Sequence, residues 1–221
     1  MSVLPSPVID TALAHEPAAD CPLCPRIVQS RALSPGHAPL PPRGPQNAPL
    51  LIVGLAPAPH ADGTNTLFPD LQAEELLHEI LEEFAFGTCA TQSGNAQGFT
   101  PTAARMVSAM RCAPPAGLPQ PSEIATCNQF LRSELQTMAD LRIVLALGLL
   151  AHNATVAACG IPLSRVSFRH NRLTTMPDGL RIADTHHLSA RNLTTGLVTR
   201  EGLRRLIGDI RQEIDTHSAV F

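Results

Sequence analysis

The run "LLIVGLAP" (50–57) is apolar through Val53 and breaks at Gly54, and similar runs return as "RIVLALG" (142–148) and "LRIADTHH" (180–187). Short apolar runs without alternation suit strands buried on both faces, and such strands need helices on either side of their sheet. Helical segments lie between and after them. "AEELLHEILEEF" (73–84) has apolar residues at helical spacing with acids between. "PSEIATCNQFLRSELQTMA" (121–139) opens with Pro121, a candidate N-cap at Ser122 and Glu123 in the first turn. "LLAHNATVAAC" follows the second run, "EGLRRLIGDIRQEI" (201–214) follows the third, and "ARMVSAMRC" (104–112) suits strand or helix. Strands alternating with helices imply an α/β sandwich around a mostly parallel sheet. Ligands of such sheets bind in loops off the carboxyl ends of the strands. Two polar loops stand there: "APAPHADGTNTLFPD" after the first run and "HHLSARNLTTG" after the last.

A chain of 221 residues, 44% hydrophobic and 16% charged, is long enough for one domain with a substantial core. Residues 1–20 and 216–221 read as tails around a single domain at 21–215, and the Pro-rich stretch 34–49 reads as a surface connector. A net charge of −3 argues against a generally basic nucleic-acid binder, although a local stripe of Arg could still touch phosphates. The sequence has neither a signal-peptide pattern nor a run of 18 apolar residues, so the expectation is a cytoplasmic, monomeric protein with no membrane partner.

Six cysteines in such a chain point to metal or catalysis rather than a disulfide framework. Cys21 and Cys24 form "CPLC", and Cys112 and Cys127 bracket "CAPPAGLPQPSEIATC". Four thiolates suit tetrahedral zinc or an iron-sulfur cluster, and spacing alone does not choose. Cys89 and Cys159 lack a paired spacing and read as small buried hydrophobes. A thioredoxin-like role for "CPLC" would need a preceding strand, and a loose tail precedes it instead.

"CPLCPRIV", "VGLAPAPHADGTNT", "RCAPPAGLPQPSEIATC" and "HLSARNLTTGLVT" together resemble, in order and spacing, the iron-sulfur uracil-DNA glycosylases, most closely the family-five (type b) branch. The similarity runs over roughly residues 21–212. It implies a three-layer α/β/α sandwich around a four-stranded parallel sheet. It further implies a [4Fe-4S] cluster held by Cys21, Cys24, Cys112 and Cys127, and DNA containing uracil or other deaminated bases as partner. Such an enzyme must flip a nucleotide, hold its base and break an N-glycosidic bond through an oxocarbenium-like state. On this resemblance His187 is the donor to the departing base and Asp70 the carboxylate that orients water. Phe68 would stack on the base, while Gly54, Ala56 and His60 line it. Ser189, Arg191 and Asn192 would press into the duplex.

Each assignment has a plainer counterpart: a helix N-cap for Asp70, a core aromatic for Phe68, loop polarity for Ser189, Arg191 and Asn192. The chain also departs from the family pattern. Ser108 stands where an Asn commonly reads the uracil edge, Leu188 replaces the Pro of His-Pro-Ser, and Pro69 shortens the Thr-Gly before the loop Asp. A hydroxyl makes fewer bonds than an amide, so poorer base discrimination is expected. Two alternatives to a glycosylase are a catalytically weakened relative that binds DNA or a lesion, and an unrelated module with a zinc ribbon.

Overall fold

A computed structural model describes residues 16–33, 38–59, 65–67, 70–89 and 98–218. Helix α1 (Pro25–Leu33) follows the first cysteine pair. Strand β1 (Leu50–Gly54) leads through a short antiparallel pair, β2 (Ala58–Pro59) and β3 (Asn65–Thr66), into α2 (Leu71–Glu83). A second small pair, β4 (Gly87–Cys89) and β5 (Phe99–Pro101), precedes β6 (Ala104–Ser108). Then come α3 (Pro121–Thr137), β7 (Ile143–Leu147), α4 (Leu149–Ala158), β8 (Arg172–Thr175), β9 (Arg181–Thr185), α5 (Ala190–Thr194) and α6 (Arg200–Ser218).

The main sheet runs β6-β1-β7-β9-β8. The first four strands are parallel, as expected. Strand β8 adds an antiparallel edge on β9, so the sheet has five strands and not four. Its sequence, "RLTT", is partly exposed and has no apolar run to betray it.

Alternation along the strands sorts the core into two layers. Leu50, Ile52, Met106 and Leu145 meet α2 and α6 on one face. Leu51, Val53, Val107 and Val144 meet α3 and α4 on the other. Each such side chain contributes about 1.5–3 kcal/mol on burial, so the sheet interior dominates stability and the strand ends are free for function. The chain leaves β1 for β6 through α2 and returns across β1 to β7 through α3, on the opposite face. The loops leaving β1 and β7 therefore diverge, which is the topological condition for a crevice at the carboxyl edge.

The described part of the Pro-rich connector lies along the outer edge of β6, where Arg43 and Met106 exchange backbone hydrogen bonds of 2.9 and 2.8 Å. Gly44 makes this approach possible: its φ is +98°, and a Cβ there would lie 2.3 Å from the Ala104 carbonyl. Flanking prolines limit further pairing at this edge. Helix α3 is capped two residues earlier than expected, by Gln120 rather than Ser122. Pro121 occupies the first helical position, where its fixed φ is already helical, so the residue before it becomes the cap. The Glu123 carboxylate accepts from the Gln120 N–H at 2.8 Å and from Arg26 at 2.6 Å.

Candidate active site and cysteine cavity

Asp70 ends the stretch after β3 and caps α2. Its Oδ1 accepts from the Ala73 N–H at 3.1 Å and its Oδ2 from the Ala190 N–H at the start of α5. The cap expected from sequence is therefore real, and the same carboxylate joins two loops 120 residues apart. His187 follows β9 on that second loop. His187 is exposed to solvent. Burial lowers its imidazole below the ordinary 6.5, and the Asp70 charge works the other way. A neutral imidazole near a carboxylate at the carboxyl edge can donate a hydrogen bond to developing negative charge.

The remaining loop residues divide between support and contact. Ser189 caps α5, its Oγ accepting from the Asn192 N–H at 3.3 Å. The Asn192 amide donates to the His187 carbonyl at 2.7 Å and so fixes the backbone of the histidine. Arg191 is exposed. The loop rests on Gly148, whose φ is +106° and whose missing Cβ would stand 3.2 Å from that of His187. Leu188, in place of proline, is buried in the core between the sheet and α6.

Below the loops, Ser108 and Gly54 are register partners at the carboxyl ends of β6 and β1, and Leu147 and Thr185 are partners on β7 and β9. Ser108 is 2% exposed and Thr185 fully buried, and neither hydroxyl has a hydrogen-bond partner among the described residues. Orphaned buried hydroxyls are costly and call for a ligand or water. A Cβ on Gly54 would meet Leu67 only at 3.8 Å, so the free-state packing does not itself demand glycine there. Ala56 packs against the cysteine-bearing cluster described next. His60 and Phe68 lie outside the described residues.

Cys21, Cys24, Cys112 and Cys127 line one small cavity of about 20 Å³, with Ile27 and Phe130 among its apolar walls. Two thiols come from the segment leading into α1, one from the loop after β6 and one from α3. Among the described residues no three His, Cys, Asp or Glu side chains converge to hold a single ion. Burial, followed by the neighbouring Cys127 thiol, pushes Cys112 up to about 12. Burial likewise pushes Cys127 up to about 11, although the Arg111 N–H donates to its sulfur at 3.3 Å. Burial and the charge of Glu123 raise Cys24. Thiolates at Cys24, Cys112 and Cys127 are therefore unfavourable here unless a cationic group sits among them, which is the donor chemistry a thiolate-held cluster requires. Cys89 and Cys159 lie elsewhere.

Sequence reasoning missed two buried charge clusters. Arg111, 1% exposed, donates to the Ser108 carbonyl at 3.2 Å, to Glu134 at 3.5 Å and to Glu16 at 3.2 Å. It thus ties the cysteine loop and the end of β6 to Glu16, inside the stretch read as a tail, and Glu134 also pairs with Arg105. The Glu16 carboxyl is raised to about 7 by burial, against the pull of Arg111. Behind the His187 loop, His152 and Asp184 form a fully buried pair at 2.8 Å, and Asp184 also accepts from the Arg169 N–H at 3.0 Å. No motif marks either cluster; an Asp inside an apolar strand and a His in an apolar helix were the available signals.

A model of the uracil DNA glycosylase superfamily matches residues 41–209. A type-5 uracil-DNA glycosylase of Thermus thermophilus is 30% identical over 193 residues, 82% of this chain and 88% of that protein. The type-5 enzyme of Pyrobaculum aerophilum is 30% identical over 199 residues, 85% and 86% of the two chains. That of Mycobacterium tuberculosis is 31% identical over 196 residues, 81% and 72%.

Proposed function

Because the chain belongs to the uracil DNA glycosylase superfamily, we propose that it hydrolyses the N-glycosidic bond of uracil, and of other deaminated bases, in DNA to leave an abasic site. The observation that carries this is the hydrogen bond from the Ala190 N–H to Asp70, which unites the two loops holding the acid and the histidine at the carboxyl edge of the sheet. The flipped nucleotide enters that crevice. Asp70 keeps lone pairs beyond its two backbone bonds, enough to orient water and to face the cationic sugar. Neutral His187 donates to the departing base. General acid-base groups of this kind are worth about 10²–10⁴ in rate. Ser108 and Gly54 form the floor against which the base lies. Ser189 and Asn192 hold the loop in shape, and Arg191 reaches a phosphate.

Cys21, Cys24, Cys112 and Cys127 would hold a [4Fe-4S] cluster, which supplies a cross-link between the N-terminal segment, the post-β6 loop and α3. Hydrolysis moves no electrons, and the protein works as a cytoplasmic monomer on DNA. Among the described residues no helix is long and apolar enough to cross a membrane. Incubating the protein with a uracil-containing duplex and then alkali tests the activity. Strand breaks that vanish in His187→Ala are expected; none above background from the wild type would overturn the proposal. Binding of that duplex without breaks would favour a lesion-binding relative, for which the loss of the reading amide at Ser108 speaks.

A further inference from the structure

The loop from His186 to Leu197 carries His187, Ser189, Arg191 and Asn192, and both of its ends meet one side chain. His170, just before β8, accepts from the His186 N–H through Nδ1 at 3.1 Å. The Leu197 carbonyl, at the other end of the loop, favours a proton on the same ring. An Nδ1 that accepts carries no hydrogen, so the proton of the neutral ring sits on Nε2. The His186 ring packs on the His170 ring with centroids 4.3 Å apart, and Phe168 backs His186 at 5.4 Å. His170 is itself anchored by a bridge to Asp184, the strand residue that His152 holds from α4. We propose that neutral His170 is a positioning residue that staples the two ends of the His187 loop and so sets the aim of His187 at the base. This rests on the glycosylase reading of the loop.

The neutral form is the one the surroundings select. Burial lowers the His170 pKa, the neighbouring His186 lowers it further, and the Leu197 carbonyl only partly offsets them. From β9, Asp184 directs its carboxylate to His152 and the Arg169 N–H. Arg169 and Arg172 flank His170 in the chain and are exposed. The segment before α6 presents the Leu197 carbonyl. Protonation would place a second N–H against the His186 N–H, donor against donor, and the bond would be lost. A depressed histidine pKa makes this contribution complete above the ordinary 6.5 and lost as pH falls through the lower folded value.

His170→Ala and His170→Asn test the staple, because the Asn Oδ1 can take the place of Nδ1 as an acceptor that does not titrate. At pH 7.5, His170→Ala should lower kcat for uracil release about 10- to 100-fold with little change in KM, the effect of a misaimed catalytic group. His170→Asn should recover most of that loss. The acid limb of its pH profile should lie at lower pH than that of the wild type. Hydrogen exchange across residues 186–197, corrected for intrinsic rates, should show protection falling in the wild type between pH 7 and 5 but not in His170→Asn. Wild-type kcat in His170→Ala, an unshifted acid limb in His170→Asn, or loop protection equal in all three proteins would overturn the proposal. If His170→Ala does not fold, the two His170→Asn comparisons decide. If the wild type releases no uracil, the glycosylase reading fails, and the exchange comparison still decides whether the staple exists.

Discussion

At the carboxyl edge of the sheet, Asp70 has a backbone N–H for each carboxylate oxygen, and His187 stays neutral. In the cysteine cavity, by contrast, one backbone N–H serves Cys127 and one guanidinium stands 4.0 Å from Cys112. The two regions touch: Ala56, on the loop after β1, packs against the cluster around Cys127, and the Met110 N–H donates to the Leu55 carbonyl at 2.8 Å. The carboxyl edge thus satisfies its charge with its own polypeptide, whereas the cavity gathers thiols that burial keeps protonated and that would give up their protons only to an added cation. On the proposed reading, the first site is complete on folding, and the second would couple folding to the group it holds.

Cys127→Ser breaks the comparison most severely. A structural metal site contributes on the order of 10 kcal/mol to folding, so the variant should lose both brown colour and most of its soluble yield. Wild-type melting with a colourless preparation would show that the cavity holds nothing structural. Next is His152→Leu, which leaves the buried Asp184 carboxylate beneath the His187 loop with only the Arg169 N–H and should cost about 3–5 kcal/mol in denaturant unfolding. The wild-type pair also has a sign in pH. Burial opposes charge on His152, but the hydrogen bond and charge of Asp184, helped by the Val166 carbonyl, raise its pKa above 6.5. Its contribution is therefore full below pH 6.5 and lost as pH rises through the folded value, the reverse of His170. Between pH 5 and 9 the stability gap between wild type and variant should narrow toward the alkaline end without closing, because neutral His152 still hydrogen-bonds Asp184.

Asp70 separates cap from chemistry. Asp70→Asn keeps a good N-cap and should change stability by less than about 0.5 kcal/mol, while Asp70→Ala should lose about 1 kcal/mol. Both should lower uracil release about 10²-fold or more. Equal activity in the Asn variant would leave Asp70 a cap alone. The smallest effect is expected from Arg191→Ala: an unchanged melt, and a salt dependence of DNA affinity shallower by about 0.9 in slope, the mark of one phosphate contact.

Much of this was legible because periodicity and spacing are local. The buried runs at 50–54 and 142–148 became β1 and β7, and the amphipathic stretch at 73–84 became α2. Strand β8 stayed hidden because it is an edge strand whose residues are half exposed. Glu16, Arg111 and Glu134 stayed hidden because their meaning is mutual: each is an ordinary charge until the fold buries all three together. His170 is the same case, one histidine among nine, given a role only by the two loop ends that reach it.

The sequence by itself determined the layers of the fold, the family and the four thiols, since hydrophobic period and motif spacing are written along the chain. Only the tertiary structure decided that Asp70 bonds across to Ala190, that the thiols share one cavity, and that Ser189 and Asn192 brace the loop. Hydrogen bonds between segments a hundred residues apart depend on where the sheet carries their ends, and nothing local encodes that distance.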